Sequence, residues 1–543
     1  MSVNDDPDVV IVGYGPVGQL LAVLLAGRGW SVTVLERWPR PYPMPRAVAF
    51  DGESARILAG AGLGELISRF GEPSGDYTWE NADGQELLHF DAAEGLGRSG
   101  WPDSTSMYQP GLEAELAALG AALPTLRVLR GYEVVRLHPG GNGVGVVALD
   151  GDGGELTLHT GWVVGCDGAN SLVRREIATT VTDLGFEHDW LICDVVPDPP
   201  REFRPNNLQV CDPARPRTAV SAGPGHRRWE FMRTAGEPLD EFDTAATAWR
   251  LLRLFDIHPG NATLERHAVY TFQASFADRW RSGRLLIAGD AAHLMPPFAA
   301  QGMSSGFRDA ANVAWKLDLV LRGLADEQTL DTYPVERRQH VQHAIGISVN
   351  LGRVICQTDP AAAADRDEMM MAVRKRGIAP TRPPSVVESL AEGFLQDAAL
   401  RPPGAPVGHL VPQGRVTRDG RTALFDEVVG LGFALISTES PDDLLDLDRL
   451  RFLEELGVRF ARLLPADDPA GAQAPAVVDA EGVYLDYLGG MGTIAVLVRP
   501  DFYLFGAART AAELAALVDD LRQQLLRSDR PVVAGGQPAV ATA

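Results

Sequence analysis

Short, β-branched apolar runs at residues 8–12 and 32–35 flank an apolar segment of helix length at 19–26. Such spacing predicts strand–helix–strand, the parallel unit of an α/β fold. Helical patterning returns at 53–69 and in the Ala/Leu-rich stretch 111–122. From 127 to 165 the pattern changes to short alternating strands, broken by Pro139-Gly140-Gly141-Asn142-Gly143 and by 150–154, which is hairpin chemistry. Strand patterns continue at 190–196, 208–210, 218–221, 229–233 and 268–274, with one helix near 242–255. They predict a mostly antiparallel second sheet. An apolar strand at 285–288 and a helix over 304–321, with Phe307, Ala311, Ala314, Leu317 and Leu321 at helical spacing, return to α/β character. Residues 356–406 carry breakers at 380–384 and 401–404 and predict connecting helices and a linker. Strand patterns at 432–437, 493–498 and 502–505, with helices at 445–456 and 511–526, predict a small separate α/β domain, and 532–543 a frayed end.

Length and charge narrow the reading. At about 150 residues per domain, 543 residues allow three or four domains. The net charge of −23 lacks the cationic surface that duplex binding needs, so nucleic acid is not an expected partner. Four scattered cysteines, Cys166, Cys193, Cys211 and Cys356, build neither a disulfide framework nor a metal knuckle, and fit a reducing cytoplasm. The acidic MSVNDDPD start does not resemble a signal peptide, and no apolar stretch reaches the ~18 residues of a membrane span. A soluble, cytoplasmic protein is expected.

Three motifs carry chemistry. Gly13-Tyr14-Gly15-Pro16-Val17-Gly18 opens from the first strand into a helix. Gly13 permits a tight turn, Gly15 lets the backbone approach a pyrophosphate, Gly18 lets helix and strand pack closely, and the helix N-terminus favours phosphate. Glu36 ends the next strand, where an acid binds a ribose diol. Together they predict a dinucleotide site, with NAD and FAD both open. In the second motif, Gly283–His293, an apolar strand ends in Gly289-Asp290, which puts a carboxylate at the ligand-binding edge of such a sheet. Asp290 could accept hydrogen bonds from a polyol; the alternative is a turn cap. His293 is read as structural. The third, Gly165-Cys166-Asp167-Gly168-Ala169-Asn170-Ser171-Leu172-Val173-Arg174, reads as a capped strand–turn–helix.

In this order, GxGxxG, CDGxxSxVR and GRxxxAGDAAHxxPPxxxQG, the motifs resemble those of the class A flavin-dependent aromatic hydroxylases. The likeness is to phenol hydroxylase, the 3-(3-hydroxyphenyl)propionate hydroxylases and polyketide-tailoring hydroxylases, and it covers about residues 7–350. The C-terminal part resembles the family's thioredoxin-like appendage, with Arg499-Pro500-Asp501-Phe502-Tyr503 matching its RPDxY and no CxxC for dithiol chemistry. The resemblance implies a Rossmann-like FAD-binding domain (1–75, 108–183 and 284–355). It also implies an interleaved, mostly antiparallel substrate domain (76–107 and 184–283), a linker (356–406) and a thioredoxin-like domain (407–543).

It also implies FAD as cofactor and roles by position. Glu36, with Arg37 beside it, would hold the adenosine ribose, with Gly13, Gly15, Pro16 and Gly18 at the pyrophosphate. Arg46, in Pro45-Arg46-Ala47, would lie near the pyrophosphate, and Gln109 would reach the ribityl chain. Asp167 would be largely architectural, and Asp290 would bind the ribityl or pyrophosphate region. Gly302 and Met303 would offer N–H groups at a helix N-terminus to the flavin's pyrimidine edge. Two positions depart from the family pattern: Ala300 where Gly is usual and Ser304 where Asn is common.

The implied reaction is monooxygenation: NADH or NADPH docks transiently and reduces FAD, O2 forms a flavin C4a-hydroperoxide, and an electron-rich phenol takes its distal oxygen. For the catalytic and substrate-contacting positions, the expectations are Arg233 and Tyr270 to orient or deprotonate the phenol, Pro297 beside the flavin, and Trp229, Phe231, Phe272 and Phe298 as apolar walls. Ordinary packing is the alternative for each. Trp229, Phe231 and Arg233 share one strand face, with the choice of face open. Competing readings are a Baeyer–Villiger or epoxidising oxygenase, or a flavin-binding protein without turnover. A halogenase lacks support because WxWxIP is absent. An NAD-only dehydrogenase would not need the late Gly-Asp. The expected partners are a small aromatic substrate and O2, with no nucleic acid, metal or membrane; the chain is expected to be a monomer or homodimer.

Overall fold

The computed structural model describes residues 6–41, 46–91, 95–377, 389–467 and 476–526. Pro45, the 380–384 breakers and the expected frayed end at 532–543 lie outside the described residues.

The first sheet has six strands in the order Arg281–Ser282, Leu285–Ile287, Trp162–Gly165, Val9–Val12, Val32–Glu36 and Leu126–Arg130. All pairings are parallel except the edge hairpin of Arg281–Ser282. Its apolar central strands are covered on both faces, as parallel sheets require. The topology puts three distant segments side by side, so the turns after Val12, Gly165 and Ile287 emerge at one carboxyl edge, where ligands of such sheets bind. The GxGxxG turn, the Cys166-Asp167 turn and the Gly289-Asp290 turn thereby become neighbours.

A second, eight-stranded sheet is mostly antiparallel and runs His293–Leu294, Ala262–Ala277, Val181–Pro197, Arg227–Met232, Arg217–Ser221, Asn207–Cys211, Tyr77–Asn81 and Glu86–Phe90. Its centre is a long, bulged pairing of Val181–Pro197 with Ala262–Ala277. One face closes on a small core with the Ala245–Leu252 helix, containing Leu191, Cys193, Trp229, Phe231, Phe242 and Leu251. The other face looks toward the first sheet.

The C-terminal part forms a seven-stranded sheet with its own apolar core around Leu435, Leu453, Leu497, Phe505 and Leu517. Within it, Ala434–Ser437 pairs parallel with Arg459–Leu464 and antiparallel with Ala495–Val498, which pairs antiparallel with Leu504–Ala508. This order and direction is that of a thioredoxin-like core.

Two elements differ from the pattern-based expectation. The helix expected over 53–69 is α-helical only across Gly52–Leu58, then continues as a π turn and a 3-10 turn to Arg69. Gly62 breaks it at φ +102°, a backbone state that glycine adopts without steric cost. A 24-residue helix, Thr332–Ile355, was not read from the pattern; its buried face carries Glu336, Arg337 and His340 among apolar residues, which blurs the periodicity.

Candidate active site

Between the two sheets lies one cavity of about 1660 Å³. At one end, Gly13 sits at φ +98°, and a Cβ there would fall 2.4 Å from the Cys166 carbonyl oxygen, so only glycine fits. A Cβ on Gly18 would fall 2.2 Å from the Gly13 oxygen, so that glycine lets helix and turn touch. Gly15 differs: it caps the Pro16–Ala26 helix, and a Cβ there would meet nothing within 4 Å. The open space before a helix N-terminus is a cradle of pyrophosphate character. Glu36 faces the same space, its carboxylate accepting the N–H groups of Tyr14 (2.7 Å) and Trp38 (2.9 Å). Arg37 lines this end as well.

Two parallel strands away, Asp290 lines the cavity and pairs with Arg46 at 2.6 Å. Gln109 is buried at the wall; its amide oxygen accepts the N–H groups of Arg46 and Ala47, both at 2.8 Å, and its amide nitrogen donates to Glu113. It therefore fixes the Arg46 backbone. Asp167 accepts the Ser171 hydroxyl and the Leu172 and Val173 N–H groups, an architectural cap, and burial raises its carboxyl above the usual range.

Gly302 and Met303 open the 20-residue Gly302–Leu321 helix at the cavity. Their N–H groups have no acceptor among the described residues, as expected of a first helical turn. Just before it, Ala300 adopts φ +52°, the left-handed state glycine favours, at the position where the family pattern has glycine. Ser304 is buried, and its hydroxyl has no partner among the described residues. His293 is buried against Asp309 at 2.8 Å, in keeping with a structural histidine.

The antiparallel sheet supplies the far wall. Tyr270, Phe272, Pro297 and Phe298 line it. Phe298 meets Phe186, Trp190 and Phe272 edge-on, and Phe272 stacks on Trp190. The Tyr270 hydroxyl accepts from Arg266 at 2.8 Å.

Three expectations are corrected. Trp229 and Phe231 are fully buried in the small core on the opposite face of the sheet and do not border the cavity. Arg233 lies beyond the strand end, where its guanidinium pairs with Asp189 at 2.6 Å and with the Glu237 carbonyl, also away from the cavity. Trp229 and Phe231 share one strand face, and it is the face packed on the helix. The alternate residues of that strand, Arg228 and Glu230, face the cavity instead. Arg228 pairs with Asp194 at 2.7 Å, and Asp194 also binds Arg266. Burial raises Glu230 to about 7 against the pull of Arg228. The signal available in the sequence was a carboxylate set between apolar neighbours in each of two strands, Asp194 between Cys193 and Val195 and Glu230 between Trp229 and Phe231.

An FAD-binding-domain family model matches residues 6–348 and an HcaD C-terminal-domain model matches 408–524. The chain belongs to this FAD-binding family. The glycine cradle, Glu36, Asp290 and two helix N-termini around one cavity fit that cofactor. Among curated relatives, the chain is 40% identical to the "Probable NADH-specific resorcinol 4-hydroxylase" of Rhodococcus jostii (strain RHA1), over 95% of this chain and 94% of that one. It is 35% identical to a 3-(3-hydroxy-phenyl)propionate/3-hydroxycinnamic acid hydroxylase of Mycobacterium sp. (strain JLS), over 94% and 91%. In fold it is similar to the flavin-dependent monooxygenase PieE, solved with FAD and substrate (TM-score 0.79, 19% identity, 96% and 100% covered). It is also similar to aklavinone-11 hydroxylase, solved with FAD and aklavinone (TM-score 0.74, 23% identity, 96% and 100% covered).

Proposed function

We propose that this chain is an NADH-dependent flavoprotein monooxygenase that hydroxylates a small phenol, with a dihydroxybenzene such as resorcinol as the substrate class. The observation that carries the reading is the single cavity joining the Gly13–Gly18 cradle and Asp290 to an aromatic wall and a buried carboxyl. Full-length similarity to a relative named for NADH and resorcinol supports the donor and substrate. Bound in the cradle, FAD supplies the redox and oxygen chemistry. The residues proposed to hold it are Gly13, Gly15, Pro16, Gly18, Glu36 and Arg37 at the nucleotide end. Arg46, Gln109, Asp167 and Asp290 support the middle, with Gly302 and Met303 at the ring end. The first-turn N–H groups of the Gly302–Leu321 helix point to the cavity end where the flavin ring would be held, and would favour negative charge there. Pro297, Phe298 and Phe272 present an apolar surface that orients an aromatic substrate and keeps water from it, while Tyr270 offers a hydroxyl.

Among the described residues no helix is long and apolar enough to cross a membrane. The four cysteines are unpaired, and we place the working compartment in a reducing cytoplasm, with the protein a monomer or homodimer. The test is NADH consumption by the yellow holoenzyme with and without resorcinol, with mass spectrometry of the product. Resorcinol-stimulated oxidation and a gain of one oxygen atom are expected; flavin-bound protein indifferent to every phenol, or an ester product, would refute the proposal.

A further inference from the structure

The central strand of the antiparallel sheet places a carboxyl in the cavity that none of the contacts above uses. Glu230 is in register with Ile192 on one side and Thr218 on the other, and Thr218 is in register with Gln209. All four border the cavity. Glu230 is only 7% exposed, yet no described residue donates a hydrogen bond to its carboxyl group. Its row neighbours are already satisfied: the Thr218 hydroxyl donates to Gln209 at 2.8 Å, and the Gln209 amide donates to the Arg217 carbonyl at 3.0 Å. A buried carboxylate without a donor costs a large part of its hydration, so it is kept only where something else supplies that donor.

The charges around it set what that donor can be. Arg228 lies on the same strand, Asp194 on the Val181–Pro197 strand, and Arg266 on the Ala262–Ala277 strand. Both guanidiniums bind the one Asp194 carboxylate. With Glu230 ionised, these four groups carry two positive and two negative charges. Tyr77, on the Tyr77–Asn81 strand, and Tyr270 are the neutral titratable groups of this wall, and both face the cavity. A neutral ligand leaves this balance intact. A ligand carrying its own carboxylate would add an unmatched buried negative charge beside Glu230.

We infer that Glu230 is the residue that receives a phenolic hydroxyl of the substrate, and that it makes the pocket select neutral polyhydroxybenzenes over aryl carboxylates. The inference rests on the hydroxylase reading above and names the substrate class of that site. In the proton step, the phenolic O–H bond breaks and a carboxyl O–H bond forms on Glu230. The electron pair stays on the phenolic oxygen, where it enriches the ring carbon ortho or para to it, and the product's oxygen takes the proton back. No electron is exchanged with the protein. A carboxyl raised to about 7 by burial, with Arg228 pulling the other way, can both take and return a proton near neutral pH.

The test uses FAD-loaded protein, with resorcinol and 3-(3-hydroxyphenyl)propionate as probes. Binding is read from flavin absorbance without NADH, and turnover from NADH oxidation. Wild type should bind resorcinol at least about tenfold more tightly than the aryl carboxylate, the scale of one uncompensated charge contact. Glu230→Gln should keep its flavin and lose about 10- to 100-fold in kcat/KM for resorcinol. It should also lose the rise of kcat/KM between about pH 6 and 8, and its preference should shift toward the aryl carboxylate. A Glu230→Gln enzyme with unchanged resorcinol kinetics and pH profile overturns the assignment while leaving the hydroxylase reading intact. Wild type that binds the aryl carboxylate as tightly as resorcinol overturns it without any variant. Flavin-bound wild type that oxidises NADH no faster with any phenol overturns the hydroxylase reading itself, whatever binding shows.

Discussion

Replacing Arg499 by methionine should cost about 3–5 kcal/mol, the range for breaking a buried ion pair from one side. Arg499 belongs to the RPDFY segment, and its side chain is fully buried between the C-terminal sheet and two helices of the FAD-binding part. It makes two bonds to Glu336 (2.7 and 3.0 Å), two to Asp501 (2.7 and 2.9 Å) and one to the Phe394 carbonyl (3.0 Å). Lys316 completes the cluster, 2.8 Å from Glu336. Two cations thus face two carboxylates with no solvent contact to speak of. Without Arg499, Glu336 keeps Lys316 and Asn312, but Asp501 keeps only the neutral donors Asn312 and Trp315. Lys316→Met is the contrast. Glu336 would retain its bidentate arginine, and burial already holds the Lys316 ammonium down at about 8 despite Glu336, so less is lost, about 1.5–3 kcal/mol. Urea unfolding followed by tryptophan fluorescence, with proteolysis of the C-terminal sheet as a second readout, measures both. An Arg499→Met protein within about 1 kcal/mol of wild type, or a Lys316→Met protein that is the weaker of the two, would refute the reasoning.

The same cluster sets an acid limit. Burial alone would raise Glu336, but Arg499 and Lys316 hold it at about 2 against an ordinary 4.5, so its contribution is complete above 4.5 and is lost as pH falls toward 2. At 1.36 kcal/mol per unit this amounts to about 3 kcal/mol, visible as a falling urea midpoint across that window and blunted in Arg499→Met. Gly13→Ala should destabilise the fold by about 2–5 kcal/mol, from a left-handed alanine and its overlap with the Cys166 carbonyl. Gly15→Ala should fold normally, since its Cβ meets no protein atom, and instead weaken FAD retention by about 1–3 kcal/mol, measured by flavin release on dilution. Ala300→Gly should raise the melting temperature slightly, by relieving about 1 kcal/mol of left-handed strain before the Gly302–Leu321 helix.

Where local pattern and local chemistry coincide, the sequence was readable. The GxGxxG turn, the strand ending in Gly289-Asp290 and the Gly302–Leu321 helix each carry both a periodicity and a residue type that only one geometry satisfies. What brings them to one cavity is parallel pairing of strands more than a hundred residues apart, and no local pattern records that adjacency. The resemblance to a known family carried that part of the reading. The Thr332–Ile355 helix was obscured for the opposite reason: its buried face holds Glu336 and Arg337, whose partners Arg499 and Asp309 lie elsewhere in the chain. The RPDFY match was visible in the sequence, but its physical purpose is now explicit. Arg499 and Asp501 close the buried charge cluster, and the Tyr503 hydroxyl reaches Glu53 at 2.8 Å, which in turn holds Arg308 beside the cavity.

The strand Arg227–Met232 shows most sharply where pattern reading stops. All six of its residues are buried, so hydrophobic alternation cannot separate a core face from a cavity face. Its large aromatics, Trp229 and Phe231, invite assignment to an aromatic substrate, yet apolar bulk of that size is also what closes a sheet on a helix, and they do the latter. The charged alternates are the informative ones. A glutamate and an arginine buried at the centre of a sheet need partners, and Arg228 has Asp194 while Glu230 has none among the described residues. Polarity alone does not separate the two faces, since Arg227 is buried on the aromatic side over Trp229. What distinguishes Glu230 is that its carboxyl, without a donor among the described residues, borders the cavity, and that is the ground for assigning it to a ligand.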